Sequence, residues 1–479
     1  MKKLYKLVSL LMLVSLLLSA CVTAATPTPE PTKPAPTTAP TKAPEPTKAP
    51  EPTKAPEATK APEATKAPAP TAAPTAAPAA KVLKIGMLAT KTGAVAYYGI
   101  AQERGFMLGL EYASKGQKDA QGRFIIAGRP VEVIVRDTEG NADKAVSMAR
   151  ELIEKDGVEI LQGPTLSGEA TALTNLAKEN KKIMMVDPAA AASITGASFN
   201  PYVFRTSRTS YDDTLVIAKY LVDNVGKNFA HIAVDTAFGK SGGAALKFAV
   251  EKYGGKLIAD IYVPADAKDF TPYIQKAMDS KAENLFLTWA GTGYVTLFQQ
   301  LSDLGATKKM KVATGFGDNP TFTSVFGQAV AAIGQIGLSV YHYQLPKNDV
   351  NDFLVKRYFE LYKEPPDLFS PGGMSSAIAI AAALVKTNGD ASGDAMIKAL
   401  EGLKFDGPKG TYYIRPEDHV CLQPMFVAKL VNLDPHKGAD GTVKYDWFEK
   451  VYESKYDELG IPCTLEKDYA SRCGNLPKP

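Results

Sequence analysis

From residue 82 onward, short apolar runs rich in Val and Ile alternate with longer stretches whose apolar positions recur at helical spacing. The runs that read as strands are VLKIGML (82–88), VEVIVRD (131–137), VEILQGP (158–164), KIMMVDP (182–188), HIAVD (231–235), LIADIYV (257–263), NLFLTW (284–289), KVATGF (311–316) and IGLSVYH (336–342). Helical patterns separate most of them, among them YYGIAQERGFMLGLEYAS, DKAVSMARELIEKD and GGAALKFAVEKYG. Strand, helix, strand in repetition predicts parallel sheets covered by helices on both faces. These strands, with a break near 205–213, are too many for one small sheet, so the pattern predicts an α/β fold of two doubly wound, Rossmann-like lobes. After residue 343 the pattern turns mostly helical, in VNDFLVKRYFELYK, MSSAIAIAAALVKTNG and GDAMIKALEGLK. A hairpin-like segment follows at 411–431, and 456–479 reads as an irregular tail.

The chain before residue 82 has a different texture. MKKLYK is followed by LVSLLMLVSLLLSA, a basic start, an apolar run and small residues, which is the pattern of a secretory signal. The run is shorter than the roughly 20 residues of a comfortable membrane span. Residues 22–80 are low in complexity: Glu-Pro-Thr-Lys-Ala-Pro stands at 45–50 and 51–56, and Glu-Ala-Thr-Lys-Ala-Pro at 57–62 and 63–68. A period of six is too short for a repeat with its own core. Almost no apolar side chain there exceeds alanine, so ordering entropy is not offset and the segment is expected to stay unfolded. Its prolines bias it toward an extended spacer of about 3.1 Å per residue.

Composition narrows the class. The 479 residues are 45% hydrophobic and 22% charged, enough for a sizeable core in two or three domains. A net charge of only +4 argues against nucleic acid as a partner. Leu18-Ser19-Ala20-Cys21 resembles the lipobox of bacterial lipoproteins. That resemblance implies cleavage after residue 20 and acylation of Cys21. Three further cysteines, Cys421, Cys463 and Cys473, allow one pair and one free thiol at most. Cys463 and Cys473 enclose a short loop in the tail and are the preferred pair, with pairing of Cys421 to either left open.

Enzyme chemistry finds little support. Gly239-Lys240-Ser241-Gly242-Gly243 fits G-x-S-x-G, but Asp235 to Phe238 intervene after the apolar run and no HGGG-type oxyanion sequence is present. As a phosphate loop it fails because Val234 stands where the first glycine is needed. Gly291-Thr292-Gly293 lacks the third glycine of a dinucleotide fingerprint. The four histidines, His231, His342, His419 and His436, form no metal-ligand spacing, and no cofactor is expected. What remains is binding. Gly163-Pro164-Thr165-Leu166-Ser167-Gly168 joins a buried strand to a helix, with Ser167 as the expected N-cap and the helix start as an anion site.

Over about 82–431 the chain resembles extracytoplasmic solute-binding proteins of the leucine/isoleucine/valine-binding type, which feed ABC importers. The pieces come in the family's order: IGMLATKTGAVAYYGIAQERGFMLGLEY, GPTLSGEA, MMVDPAA, VFRTS, VDTAFGKSGG, DFTPYIQKAM, GFGDNP and FDGPKGTYYIRPEDH. The resemblance implies two lobes joined by three hinge crossings, with ligand held between them. It puts Tyr98 at a ligand-facing aromatic, Ser167 at the serine that holds the ligand carboxylate and Ala189 at a backbone contact. It places Ala191 where amino-acid binders offer a hydroxyl, Phe238 at an aromatic before glycine, and Trp289 to Thr292 on the second-lobe ligand loop. Phe316 lies near the place of the acidic residue that receives the ligand ammonium, and Asp318 substitutes only with a shift of register. A buried ammonium without a carboxylate is disfavoured. The expected ligand is therefore a carboxylate or amide without a standard α-amino group, in an aromatic-lined pocket.

The resulting expectation is a non-enzymatic, monomeric, membrane-anchored binding protein that delivers a small organic solute to a permease. An extracellular sensing domain of the same fold and a doubly wound enzyme are the alternatives. The expected organisation is a signal at 1–20, lipidated Cys21 and tether at 21–80, lobe 1 at 81–206 and 342–413, lobe 2 at 207–341 and 414–455, and a tail at 456–479. The expected location is the outer face of the bacterial cytoplasmic membrane.

Overall fold

The structure, a computed structural model, describes residues 81–291, 293–315, 317–320, 334–432, 436–437 and 443–479. The expected signal, Cys21 and the tether lie outside the described residues, as do Thr292 and Phe316.

The first half of the domain runs β1 (Leu83–Ala89), α1 (Ala96–Ala113), β2 (Ile125–Ile126), β3 (Arg129–Asp137), α2 (Ala142–Glu154), β4 (Ile160–Gln162), α3 (Ser167–Glu179), β5 (Ile183–Val186) and β6 (Val203–Arg205). They build a six-stranded sheet in the order β2-β3-β1-β4-β5-β6, parallel except for the β2–β3 hairpin. In β1, Leu83, Ile85 and Met87 pack on one core with Phe106 of α1, while Leu88 faces the other way toward Leu152 and Leu173. That alternation is the period of two that makes successive side chains point to opposite faces.

The second half runs α4 (Ser210–Asn224), β7 (Asn228–Val234), α5 (Ala237–Lys252), β8 (Lys256–Val263), α6 (Thr271–Asp279), β9 (Asn284–Thr288), α7 (Gly293–Asp303), α8 (Ala306–Lys309), β10 (Lys311–Thr314) and β11 (Ile336–Ser339). Strands β10-β9-β7-β8 form a parallel sheet, with Phe229 and Phe286 on one face and Ile232 and Leu285 on the other. The chain then forms α9 (Asp349–Tyr362), α10 (Ser370–Lys386), α11 (Gly393–Leu400), β12 (Lys404–Gly407), β13 (Gly410–Ile414), β14 (Cys421–Leu422), β15 (Phe426–Leu430), β16 (His436–Lys437), β17 (Val443–Lys444) and β18 (Phe448–Glu453). Helix α10 lies against α1 in the first core, through Met374, Ala377 and Ile380.

The fold is the two-lobed α/β arrangement, and its cores show where the chain crosses. Phe204 belongs to the first core and Tyr211 to the second; Val340 belongs to the second and Tyr341 to the first. The third passage differs from the expected change between 413 and 414, which falls inside β13. Strand β13 pairs with β14, where Val420 packs in the second core and Cys421 in the first, and Met425 and Val427 then enter the second. The hairpin-like segment therefore divides between two sheets, since β15 pairs with β11 and β18. Strands β2 and β6 escaped the pattern because two or three residues carry no readable period. In the tail, Cys463 is bonded to Cys473 (S–S 2.05 Å), and Cys421 is a buried free thiol.

Candidate ligand site

In the first sheet the order of the strands reverses between β1 and β4, and in the second between β7 and β9. A crevice opens outside the carboxyl ends of the strands at such a switch point. Here both switch points border one cavity of about 400 Å³. Thr90, Thr165 and Ser167 line it from the first lobe, and Val234, Phe238 and Ala290 from the second. An adjoining chamber of about 90 Å³ continues toward Thr288, Trp289, Tyr294 and Thr314.

A polar network sets the first-lobe wall. Thr90 N–H donates to Thr165 Oγ1 (2.9 Å), and the Thr165 hydroxyl donates to Gln102 Oε1 (2.8 Å). Gly99 permits the close approach of α1 to this turn, because a Cβ there would stand 2.1 Å from Thr90 O. Ser167 is the first residue of α3 and Leu166 the N-cap, a correction to the expected capping role of Ser167. Its Oγ instead accepts hydrogen bonds from Ala190 N (3.2 Å) and Ala191 N (3.1 Å). The α3 terminus carries its own carboxylate. Glu169 accepts from Leu166 N (3.1 Å) and is 1% exposed, and burial raises its pKa against the hydrogen bonds that lower it.

Arg208 sits between the lobes, just after the first crossing. Its side chain lines the cavity and the chamber, 8% exposed. Nε donates to Asp213 Oδ1 (3.1 Å) and Nη1 to the Pro188 carbonyl (3.1 Å). The guanidinium carbon lies 5.9 Å from the Phe238 ring centre and 5.7 Å from that of Phe369. Burial raises the pKa of Asp213, opposed by the Arg208 charge and reinforced by Asp212. Among the contacts that bridge the lobes near the cleft, Ala192 N–H donates to Ser241 Oγ (2.9 Å) and Asn319 N–H to Asp367 Oδ2 (2.8 Å).

The expected site residues fall into three groups. Tyr98, Ser167, Ala189 and Phe238 line the main cavity, Tyr98 with its ring edge-on to Phe369 at 4.7 Å. Trp289 lines the adjoining chamber and packs edge-on against Phe270 at 5.0 Å. Ala191 lines neither: it is fully buried, giving its N–H to Ser167 and its carbonyl to Arg205. Asp318 is buried and lines neither the cavity nor the chamber, and burial together with its charge pushes Asp367 up to about 7. Arg208 and Phe369 went unrecognised in the sequence. The signal for Arg208 was a cation at the lobe break followed by Asp212 and Asp213, but Arg205 stands in the same stretch and is wholly structural. Gly239 to Gly243 lie within α5, whose N-cap is Thr236, so the glycines serve helix packing rather than a nucleophile turn.

Two doubly wound lobes with a ligand-sized cleft between facing switch points define a two-lobed solute-binding protein. The chain belongs to the periplasmic binding protein family, which it matches over residues 82–439. Membership places its binding domain outside the cytoplasm. It is 27% identical over 376 residues to Leu/Ile/Val-binding protein homolog 6 of Brucella melitensis, covering 77% of this chain and 91% of that protein. A crystal structure of an ABC-type branched-chain amino acid transporter from Rhodopseudomonas palustris CGA009 is 34% identical, with TM-score 0.66, covering 80% of this chain and 100% of that one. A solute-binding protein of an ABC transporter from Rhodopseudomonas palustris BisB5, solved with 3,4-dihydroxybenzoic acid, is 26% identical, with TM-score 0.66, covering 78% and 98%.

Proposed function

We propose that this protein captures a small organic solute in the cleft and delivers it to the permease of an ABC importer. The observation that carries the reading is the cavity at the two facing switch points, lined from both lobes by Tyr98, Ser167, Ala189 and Phe238. Trp289 adds a wall to the inner chamber, the family likeness puts Thr292 on the same ligand loop, and it puts Phe316 near the ammonium-receiving position. The relatives named for branched-chain amino acids, and the one solved with an aromatic acid, support a small organic acid as cargo. No covalent step is required. A ligand touching both lobes stabilises the closed state because only closure offers it both sets of contacts. The lobes of this reading comprise 81–206 with the segment from 342 through β13, and 207–341 with the segment from β15 to 455, followed by the tail at 456–479. Cys21 is the acylated anchor and 21–80 the tether to the outer face of the membrane.

Native mass spectrometry of protein purified from its own source tests this reading, together with calorimetry against 3,4-dihydroxybenzoate and L-leucine. A retained small molecule, or one-to-one binding of either probe, is the expected result. Neither a retained molecule nor heat from either probe sinks it. For the anchor, a C21S variant is expected to lose palmitate labelling, and labelling that persists overturns the lipid attachment.

A further inference from the structure

We infer that Arg208 is the anion anchor of the cleft, and that the cargo is an organic carboxylate whose acid group it grips. The inference rests on the capture reading above and names the chemistry of its ligand. Among the described residues Arg208 is the one cationic side chain lining either the cavity or the chamber. Its Nε and Nη1 are engaged by Asp213 and Pro188, and Nη2 makes no hydrogen bond to the described residues. Those two hydrogen bonds, with the Phe238 and Phe369 rings within 6 Å, hold the guanidinium in place before a ligand arrives.

The other candidate anion site, the start of α3, is already compensated. Glu169 places a buried carboxylate on its first turn, and Ser167 takes the amides of Ala190 and Ala191 that a ligand carboxylate would otherwise meet. Ser167 retains one hydroxyl proton to donate, which either a carboxylate or an amide oxygen can accept. Charge discrimination therefore falls to the guanidinium, whose planar fork matches a carboxylate. The remaining acid on the cavity wall besides Glu169 is Glu139, which is exposed and paired with Lys144. A neutral isostere leaves the fork without its anionic partner and binds less well.

The test uses matched pairs of equal shape: benzoate with benzamide, 3,4-dihydroxybenzoate with its amide, and isovalerate with isovaleramide. Calorimetry on the full chain is expected to show a preference for at least one acid over its amide of about tenfold or more. R208Q is expected to lower acid affinity on the order of 100-fold and to remove that preference. Because R208Q leaves Asp213 without its partner, R208K serves as the second variant. It keeps the charge but loses the fork, and is expected to retain the preference with weaker binding, its melting temperature reporting that it folds. Equal binding of acid and amide by the wild type, an acid preference that survives in folded R208Q, or a retained ligand with no acid group overturns the inference while capture stands. A wild type that holds no molecule and binds no probe instead overturns the capture reading itself.

Discussion

His342 is a buried imidazole, and neither ring nitrogen has a hydrogen-bond partner among the described residues. Tyr343, Trp447 and Phe448 surround it with rings, and burial pushes its pKa down to about 3. An unfolded histidine titrates near 6.5. Between those values the unfolded chain holds the extra proton, so acid weakens the fold as pH falls from about 6.5 through 3. H342F is expected to flatten that part of the profile, read as urea midpoints at pH 7, 5 and 4. Equal slopes in variant and wild type would show that His342 is not the group responsible. The same scale explains which cavity-lining residues could be read in advance. Tyr98, Ser167, Ala189 and Phe238 sit in stretches whose order along the chain carries the family likeness, and they line the cavity. Arg208 could not be separated from Arg205 by residue type. Their roles diverge only in three dimensions, where Arg205 donates to the Ala189 and Ala191 carbonyls and Arg208 faces the cleft.

At the scale of elements, α1 packs tightly against α10 in the first lobe. A Cβ on Gly105 would stand 2.0 Å from Ser370 O, and one on Gly109 would stand 2.6 Å from Met374 O. Alanine gains about 1 kcal/mol of helix propensity over glycine, but overpacking a tight contact costs about 1–3 kcal/mol or more. G105A is expected to lower the melting temperature, and a rise would mean the helices separate without penalty. Every strand expected from an apolar run overlaps an observed strand, because alternation and length are local properties. The expected helices likewise fall on α1, α2, α5, α9, α10 and α11. Pairing was not legible. Strands β13 and β14 join at Tyr413↔Leu422 while β15 leaves for another sheet, a choice made by partners distant in the chain.

At the scale of the whole molecule, the C-terminal tail straps elements of both lobes. Lys252 of α5 donates to Leu459 O (3.1 Å), Arg415 to Ile461 O (2.9 Å), and Arg472 pairs with Glu401 (2.8 Å). Phe199, Leu465 and the Cys463–Cys473 bond form the small core beneath it. Closing so short a loop stabilises by about 2–3 kcal/mol in the chain-entropy account. The C463S/C473S double variant is expected to lose that amount in urea unfolding, and dithiothreitol to move the wild type toward it. A wild-type midpoint indifferent to reductant would show that the bond does not tie the tail. The sequence alone determined the alternation of strands and helices, and with it two doubly wound lobes, since periodicity lives in neighbours a few residues apart. Only the tertiary structure decided that the two switch points share one cavity, that Ser167 holds a loop rather than caps a helix, and that Arg208 and Phe369 meet there. Those outcomes depend on which distant segments pack together, and no local pattern along the chain records them.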